Sequence, residues 1–280
     1  MSNEILKKTK LAPQVYDFII KNEEIAKRAK PGQFVVVRIR EKGERIPLTI
    51  ADTYENSFRM VVRAVGKTTY ELCMMEEGQH LSDIAGPLGN PSEIDYFGDV
   101  MLIGGGVGIA TLLPIAKELK RFNNRLHVIL GGRNKDYVIM LEEFENLCDE
   151  LIITTDDGSM GIKGVVTDGM DLVMKNTKIN IAWAVGPTIM MKFCSIKAKE
   201  LGIEKIWVSL NPIMIDGTGM CGACRVTVDG KMKFACVDGP EFDGEKVDWD
   251  ELLKRLSQYR DEEEISFGKF KEQVGDLSWL

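Results

Sequence analysis

The chain predicts an N-terminal antiparallel β-barrel, a parallel five-stranded α/β domain and a small C-terminal loop and hairpin. Three observations carry this. Short apolar runs separated by turn signals fill the first third, strand and helix patterns alternate from Val100 onward, and three of the six cysteines crowd into residues 215–237. The 280 residues suffice for two domains and an appendage. The boundaries fall at 1–97 for the barrel, 98–211 for the α/β domain, 212–245 for the loop and hairpin, and 246–280 for a helical tail.

In the first part, residues 15–20, 33–39 and 59–65 are rich in β-branched and aromatic side chains, and Pro31-Gly32, Lys42-Gly43 and Gly66 punctuate them. Several short strands at this spacing form a small barrel. Arg45-Ile46-Pro47-Leu48-Thr49-Ile50 puts a guanidinium and a hydroxyl on one strand-like stretch. A flavin nucleotide needs both, the first as a fork of donors for its pyrophosphate and the second beside N5 of its ring. Val65-Gly66-Lys67-Thr68-Thr69 adds a glycine-hydroxyl turn suited to phosphate or adenosine, and Gly86-Pro87-Leu88-Gly89-Asn90-Pro91 is a rigid turn closing the barrel. Taken singly, each stretch is more often structural, with Lys67 a solvated charge and residues 86–91 only a turn.

The second part opens with a strand over 100–103, a glycine cluster and a helix to about 121. Strands over 126–130 and 151–155 flank a helix over 141–148, and strands over 181–185 and 206–210 bracket a helix over 188–201. Such alternation means a parallel sheet flanked by helices. Gly104-Gly105-Gly106-Val107-Gly108 lies between strand and helix, where a pyrophosphate meets backbone N–H groups at the positive helix end. Ile109 occupies the last glycine of the usual dinucleotide fingerprint, so a plain strand-to-helix turn stays open. No acid ends the second strand; Arg133 stands there, able to pair a 2′-phosphate or to cap the sheet edge, which leaves NAD and NADP both open. Gly186-Pro187-Thr188 ends another strand in the same crevice, with Thr188 expected to cap the next helix.

The third part carries the most specific signal. Cys221, Cys224 and Cys236 are spaced C-x2-C-x11-C, and Asp216 stands where a plant-type iron–sulfur loop has its first cysteine. Sulfide-bridged iron needs anionic donors, which points to a [2Fe-2S] site with three thiolates and one carboxylate. Gly217, Gly219 and Gly222 let the backbone turn tightly around it. A structural zinc knot is the alternative, but it wants a second close pair or a histidine, and His80 and His127 are both remote in sequence. Asp216, in D-G-T-G, is also a good turn residue.

Composition excludes several classes. A net charge of −7 and a pI near 5.2, with basic residues dispersed among acids, argue against a nucleic-acid surface. Residues 1–14 do not read as a signal peptide and no apolar run approaches membrane-spanning length, so a soluble, cytoplasmic protein without membrane insertion is expected. Cys73, Cys148 and Cys194 read as core thiols.

Taken in order, R-I-P-L-T-I, V-G-K-T-T, G-P-L-G-N-P, G-G-G-V-G-I-A, V-G-P-T-I-M-M and D-G-T-G-M-C-G-A-C resemble the ferredoxin-NADP reductase superfamily. They are similar to its iron–sulfur flavoprotein branch, which holds the electron-transfer subunits of dihydroorotate dehydrogenase and the small subunits of Nfn-type, bifurcating NADH-dependent ferredoxin:NADP oxidoreductases. The resemblance covers residues 1–245. It implies FAD on the barrel, NAD(H) on the parallel domain and a C-terminal [2Fe-2S] cluster. Within the Nfn-type branch it also implies an aspartate ligand, which supports Asp216.

The resemblance further implies a heterodimer with a larger flavin and iron–sulfur subunit, through which ferredoxin and NADP(H) act. Hydride transfer between nicotinamide and flavin then needs positioning rather than an acid–base residue. The flavin motif departs from the superfamily: Ile46 takes the arginine position, Leu48 replaces the aromatic residue, and Val185 replaces the cysteine of C-G-P. In the tail, Asp248 to Leu253 begins a helix, and Phe267, Phe270, Trp279 and Leu280 are apolar enough to dock on a partner or cover the flavin. Alternatives are a dihydroorotate dehydrogenase electron-transfer subunit, a hydrogenase-type flavin subunit, and a nucleotide-binding regulatory or zinc module without turnover.

Overall fold

The computed structural model describes residues 2–277. Strands β1 (Ile5–Ala12) and β2 (Val15–Lys21) form a hairpin, and after helix α1 (Glu23–Arg28) come β3 (Phe34–Arg38), β4 (Arg45–Thr49), β5 (Asp52–Thr53) and β6 (Ser57–Arg63). Helix α2 (Lys67–Met74) and strand β7 (Asp83–Leu88) complete this part. Its sheets run β1-β2-β6-β5 and β4-β3-β7, antiparallel throughout. The two-residue period of a strand divides β3 between two cores. Val35 and Val37 point inward to Phe18, Phe58 and Met60, whereas Phe34 and Val36 point outward and join the core beneath the C-terminal cysteines.

The second part contains β8 (Asp99–Gly105), α3 (Gly108–Arg121), β9 (Arg125–Gly132), α4 (Leu141–Glu145), β10 (Glu150–Thr155), β11 (Ile162–Lys163), α5 (Val166–Asn176), β12 (Ile181–Val185), α6 (Thr188–Glu200) and β13 (Lys205–Ser209). The chain continues through the hairpin β14 (Arg225–Val228) and β15 (Lys231–Phe234), strand β16 (Glu241–Asp243) and helices α7 (Trp249–Leu256) and α8 (Arg260–Val274). The main sheet is ordered β11-β10-β9-β8-β12-β13-β16. Its centre is the five parallel strands expected from the alternation, and two short edge strands, β11 and the antiparallel β16, extend it to seven. Central strands read as unbroken apolar runs because helices cover both faces: all five residues of β12 are buried.

One expected cap is corrected. Pro187, not Thr188, precedes α6, and Thr188 is already its first helical residue, so its hydroxyl cannot serve as the N-cap acceptor. The expected start of α7 holds, with Asp248 accepting from the Glu251 N–H at 2.9 Å. Helix α8 returns to the barrel. Phe270 is buried among its core residues and the Phe267 ring lies 4.9 Å from that of Tyr70, a burial that contributes about 2 kcal/mol per aromatic side chain. Trp279 and Leu280 lie outside the described residues. Among the described residues no helix is long and apolar enough to cross a membrane. Cys73 and Cys194 are buried free thiols, each pushed up to about 12 by burial, and Cys148 is a partly buried free thiol.

Candidate functional site

The cysteine-bearing segment shows why its spacing works. Asp229-Gly230, both at positive φ, form the two-residue turn of the β14–β15 hairpin, whose pairing runs from Val228↔Lys231 to Arg225↔Phe234. Cys224 and Cys236 therefore sit side by side at the open end, with sulfurs 3.2 Å apart and the Ala235 N–H donating to the Cys224 carbonyl at 3.0 Å. Asp216 organises the other half. Its carboxylate accepts from the N–H groups of Thr218, Met220 and Cys221 at 3.0–3.1 Å, and the Cys221 thiol lies 3.4 Å from Oδ1. Gly217 needs its missing side chain: φ is +77°, and a Cβ would stand 2.8 Å from Leu88 and 2.9 Å from Val36. That close approach seats the loop on the outer face of β3 and β7.

Burial works against the Asp216 charge, but the donors around it hold the carboxyl below the usual range. Burial and the adjacent Cys224 sulfur push the Cys236 thiol up to about 12, while the Gly219 N–H, aimed at it, opposes the rise. Such a thiol ionises only when a cation supplies the compensating charge. Among the described residues no three His, Cys, Asp or Glu side chains gather round a single ion position. The donors stand instead as two pairs, Asp216 with Cys221 and Cys224 with Cys236. A structural zinc needs four donors about one centre, whereas a [2Fe-2S] cluster, whose irons already share two sulfides, asks each iron for two protein donors. The donor set fits the cluster.

A cavity of about 760 Å³ opens at the C-terminal edge of the parallel sheet, lined by Gly105, Gly106, Arg133 and Pro187 among the residues anticipated from sequence. It sits where the strand order reverses between β8 and β12, the crevice in which doubly wound sheets take their ligands. The two glycine turns close on each other: a Cβ on Gly108 would meet the Val185 carbonyl oxygen at 2.3 Å, and one on Gly186 the Gly105 oxygen at 3.0 Å. Gly104 packs beneath against Ile109 and Leu112, and Val107 precedes the first turn of α3. Arg63 was not anticipated. It ends β6, lines the cavity from the barrel side, holds its guanidinium 5.9 Å from the Tyr137 ring and leaves a buried Nε without a partner. Its only sequence signal was a cation within an apolar strand.

On the barrel, Arg45, Pro47, Leu48 and Thr49 lie on β4, an edge of its sheet, which leaves one row of backbone groups without a strand partner and accommodates proline. Arg45 is 3.6 Å from Asp83 rather than free. Val65 and Gly66 precede α2, and both of their N–H groups donate to the Thr69 hydroxyl, at 2.9 and 3.1 Å. The Thr68 hydroxyl donates to Glu44, whereas Lys67 has no ion pair among the described residues. A Cβ on Gly66 would meet open space. This edge, with a helix start beside it, has the exposed backbone and the cation that a flavin nucleotide requires.

Glu241 joins the parts. Its carboxylate accepts from the Ser92 hydroxyl after the barrel at 2.7 Å and from the indole of buried Trp183 on β12 at 3.1 Å, while sitting itself on β16. His127 lies elsewhere, between Asp99 and Glu150 at 2.7 and 2.6 Å, and touches neither the cavity nor the cysteines.

Comparison with known proteins agrees with this geometry. Residues 211–248 match the iron–sulfur cluster binding domain of dihydroorotate dehydrogenase B. The chain is 63% identical over 276 residues to a Thermotoga maritima homologue of the dihydroorotate dehydrogenase B (NAD(+)) electron transfer subunit, covering 98% of this chain and 97% of that one. It is 30% identical over 240 residues to the Clostridium perfringens electron transfer subunit, covering 85% and 94%. A solved chain from the NADH-dependent reduced ferredoxin-NADP oxidoreductase, studied for flavin-based electron bifurcation, superposes with a TM-score of 0.92 at 62% identity, covering 96% of this chain and 98% of that one. With its barrel, parallel domain and paired cysteine loop in this order, the chain belongs to the family of dihydroorotate dehydrogenase B-type electron-transfer subunits, within the ferredoxin-NADP reductase superfamily.

Proposed function

We propose that this chain is the NAD(H)-linked electron-transfer subunit of a bifurcating NADH-dependent ferredoxin:NADP oxidoreductase. The observation that carries the reading is the two-by-two pairing of Asp216, Cys221, Cys224 and Cys236 on the outer face of β3 and β7. In this reading those four hold a [2Fe-2S] cluster. Thr49, Leu48, Pro47 and Arg45, with residues 65–69, hold FAD; Gly104 to Gly108, Arg133, Gly186 and Pro187 hold NAD(H).

When bound, flavin supplies the exchange between two-electron hydride chemistry and the one-electron steps an iron–sulfur cluster can relay. The chain's own work is placement. The glycine turn at the start of α3 would set the positive end of that helix against a pyrophosphate, and Arg63 brings a positive charge from the barrel side of the same cavity. Thr49, on the edge strand, would supply the hydroxyl for the flavin ring. Val36 on β3, the strand paired with β4, and Leu88 on β7 seat the cluster loop by packing against Gly217. In this reading no side chain needs to move a proton at the nicotinamide, since hydride passes directly between the two rings.

Electron-transfer subunits of this family act with a larger subunit. We place that partner, carrying its own flavin and iron–sulfur centres and serving ferredoxin and NADP(H), against the loop. Met220 is 88% exposed, and Ile215, Met232 and Val237 are exposed beside it, an apolar rim around the cysteines. Cys73, Cys148 and Cys194, free thiols outside the cluster loop, favour a reducing compartment, the cytoplasm. A role beside a dihydroorotate dehydrogenase is the second reading. The identity to the bifurcating enzyme's chain, 62%, against 30% to the Clostridium perfringens subunit, favours the first.

The test is anaerobic absorbance and EPR spectroscopy with metal analysis of the purified chain, before and after NADH and then NADPH. Flavin bleached by NADH together with a reduced [2Fe-2S] signal is the expected result. A colourless protein containing zinc, or a flavin that answers only to NADPH, would overturn it.

A further inference from the structure

Two arginines from different parts of the chain hold the turn between the first two cysteines. Within Cys221-Gly222-Ala223-Cys224, the Gly222 carbonyl accepts from the exposed Arg225 guanidinium at 3.2 Å, and the Ala223 carbonyl from that of Arg255 on α7 at 3.1 Å. The second bond spans 32 positions and is a product of the fold. After the hairpin the chain returns beside β14: the Asp229 N–H donates to the Lys246 carbonyl at 2.8 Å, and the Asp248 N–H to the Thr227 carbonyl at 2.9 Å. Helix α7 then buries Trp249 and Leu252 in the core that also contains Cys224 and Cys236. Arg255 follows Leu252 by three residues, so it lies on the same face of the helix, and its guanidinium reaches the cysteine turn.

The surroundings of Arg255 lack a counter-ion. The side chain is only partly exposed, its Nε is buried without a hydrogen-bond partner, and no carboxylate pairs with it among the described residues. Other cations of this region are paired: Lys233 with Asp238 at 3.5 Å, Lys246 with Asp243 at 3.2 Å, and Lys192 with Asp250 at 2.6 Å. A guanidinium does not shed its proton. A charge withdrawn from water without a partner costs free energy. The group that the cysteines hold supplies the balance, because three thiolates and a carboxylate outweigh the charge left on two sulfide-bridged irons. Such a cluster is an anion when oxidised and carries one further negative charge when reduced.

We propose that Arg255 is the counter-charge of the iron–sulfur site, a positioning residue that raises the reduction potential by favouring the form with the extra electron. The proposal rests on the reading that Asp216, Cys221, Cys224 and Cys236 hold a [2Fe-2S] cluster. No bond or proton moves when one electron arrives from the flavin. Only the charge changes, and Arg255 meets it. Arg225 reaches the same turn from the solvent side, where screening weakens its field. Arg255 acts from the packed side of α7, where a partly buried charge counts for more.

The experiment is an EPR-monitored redox titration of the full, flavin- and cluster-loaded chain for wild type, Arg255→Gln, Arg255→Lys and Lys254→Gln, with iron content measured alongside. Arg255→Gln should keep its iron and shift the oxidised-to-reduced ratio about tenfold toward the oxidised form, the scale of one partly buried charge. For a one-electron couple that is a potential lower by about 59 mV. Arg255→Lys retains the charge and should stay near the wild-type value. Lys254→Gln makes the same change of net charge at an exposed position of α7 and should leave the potential unmoved. An unmoved potential in Arg255→Gln with full iron, or an equal shift in Lys254→Gln, overturns the assignment while leaving the cluster standing. Should Arg255→Gln lose its iron, Arg255→Lys decides. Iron retained there at the wild-type potential upholds the counter-charge; iron lost there too, or a potential lowered by the full amount, reduces Arg255 to a structural bond and overturns it. A wild-type chain without iron removes the cluster reading itself.

Discussion

The backbone N–H of Asn90 donates to the carbonyl of Gly239 at 2.6 Å, across 149 positions of sequence. Asn90 lies in the turn that closes the barrel, and Gly239 follows Cys236 by three residues. The Asn90 side chain adds a second bond, to the Val237 carbonyl at 3.1 Å. A turn that reads in sequence as a plain barrel closure therefore clamps the cysteine hairpin onto the strands carrying the flavin motif. This fixes two candidate redox sites relative to one another.

Replacing Asn90 by alanine removes the side-chain bond and keeps the backbone one. The loss of about 1 kcal/mol should fall on the hairpin alone. Iron should be released to a chelator roughly fivefold faster, the same energy expressed as a local opening rate, with flavin content unchanged. Absorbance bleaching under chelator checks it, and equal rates in both proteins would contradict the clamp.

Asp216 is both turn-former and candidate ligand, and two variants separate the roles. Asp216→Cys keeps a donor beside Cys221 while losing the acceptor of three N–H bonds. It should retain iron and shift the midpoint potential, because thiolate donates more charge to iron than carboxylate does. Asp216→Ala removes donor and turn together and should lower the iron content. Metal analysis with a redox titration distinguishes these outcomes from a purely structural aspartate, for which Asp216→Cys would keep iron at an unaltered potential.

Gly108→Ala tests the phosphate turn. The new Cβ would lie 2.3 Å from the Val185 oxygen, a backbone atom that cannot rotate away. Overpacking of this kind costs about 1–3 kcal/mol, and here it also pushes the two glycine turns apart. The KM for NADH should rise, while flavin and iron stay at wild-type content. Normal NADH kinetics in a stable variant would place the nucleotide elsewhere.

The main elements could be read from patterning because their signals are local. The unbroken apolar run of β12 and the Asp229-Gly230 turn between apolar strands need only neighbouring residues to be recognised. The cysteine loop was readable because thiolates and glycines at fixed spacing carry chemistry in their order. What escaped was long-range or short. Strands β11 and β16 have two and three residues, too few for any period to register. Arg63 and Asp156 look like ordinary strand-end charges until the fold brings both into the lining of one cavity. Thr188 suited an N-cap by type, but Pro187, with its fixed φ, took the position.

Glu241 gives the pH prediction. Burial pushes its carboxyl up to about 7 from an ordinary 4.5, although the bonds from Ser92 and Trp183 favour the charge. A folded-state value above the unfolded one means that the folded protein holds the extra proton throughout that interval. The stability contributed by this group is therefore complete below about 4.5, falls as the pH rises through the window, and is level above about 7. This is opposite in sign to the usual salt-bridged carboxylate. Glu241→Gln cannot ionise and keeps an oxygen acceptor for one of the two donors, so it escapes the fall. Relative to wild type, the variant should gain up to about 3 kcal/mol between pH 5 and pH 8, read from paired thermal unfolding midpoints at the two values. A difference that stays constant across the window would mean that Glu241 ionises in the fold as freely as in the unfolded chain, and that the contact between barrel, β12 and β16 is hydrated.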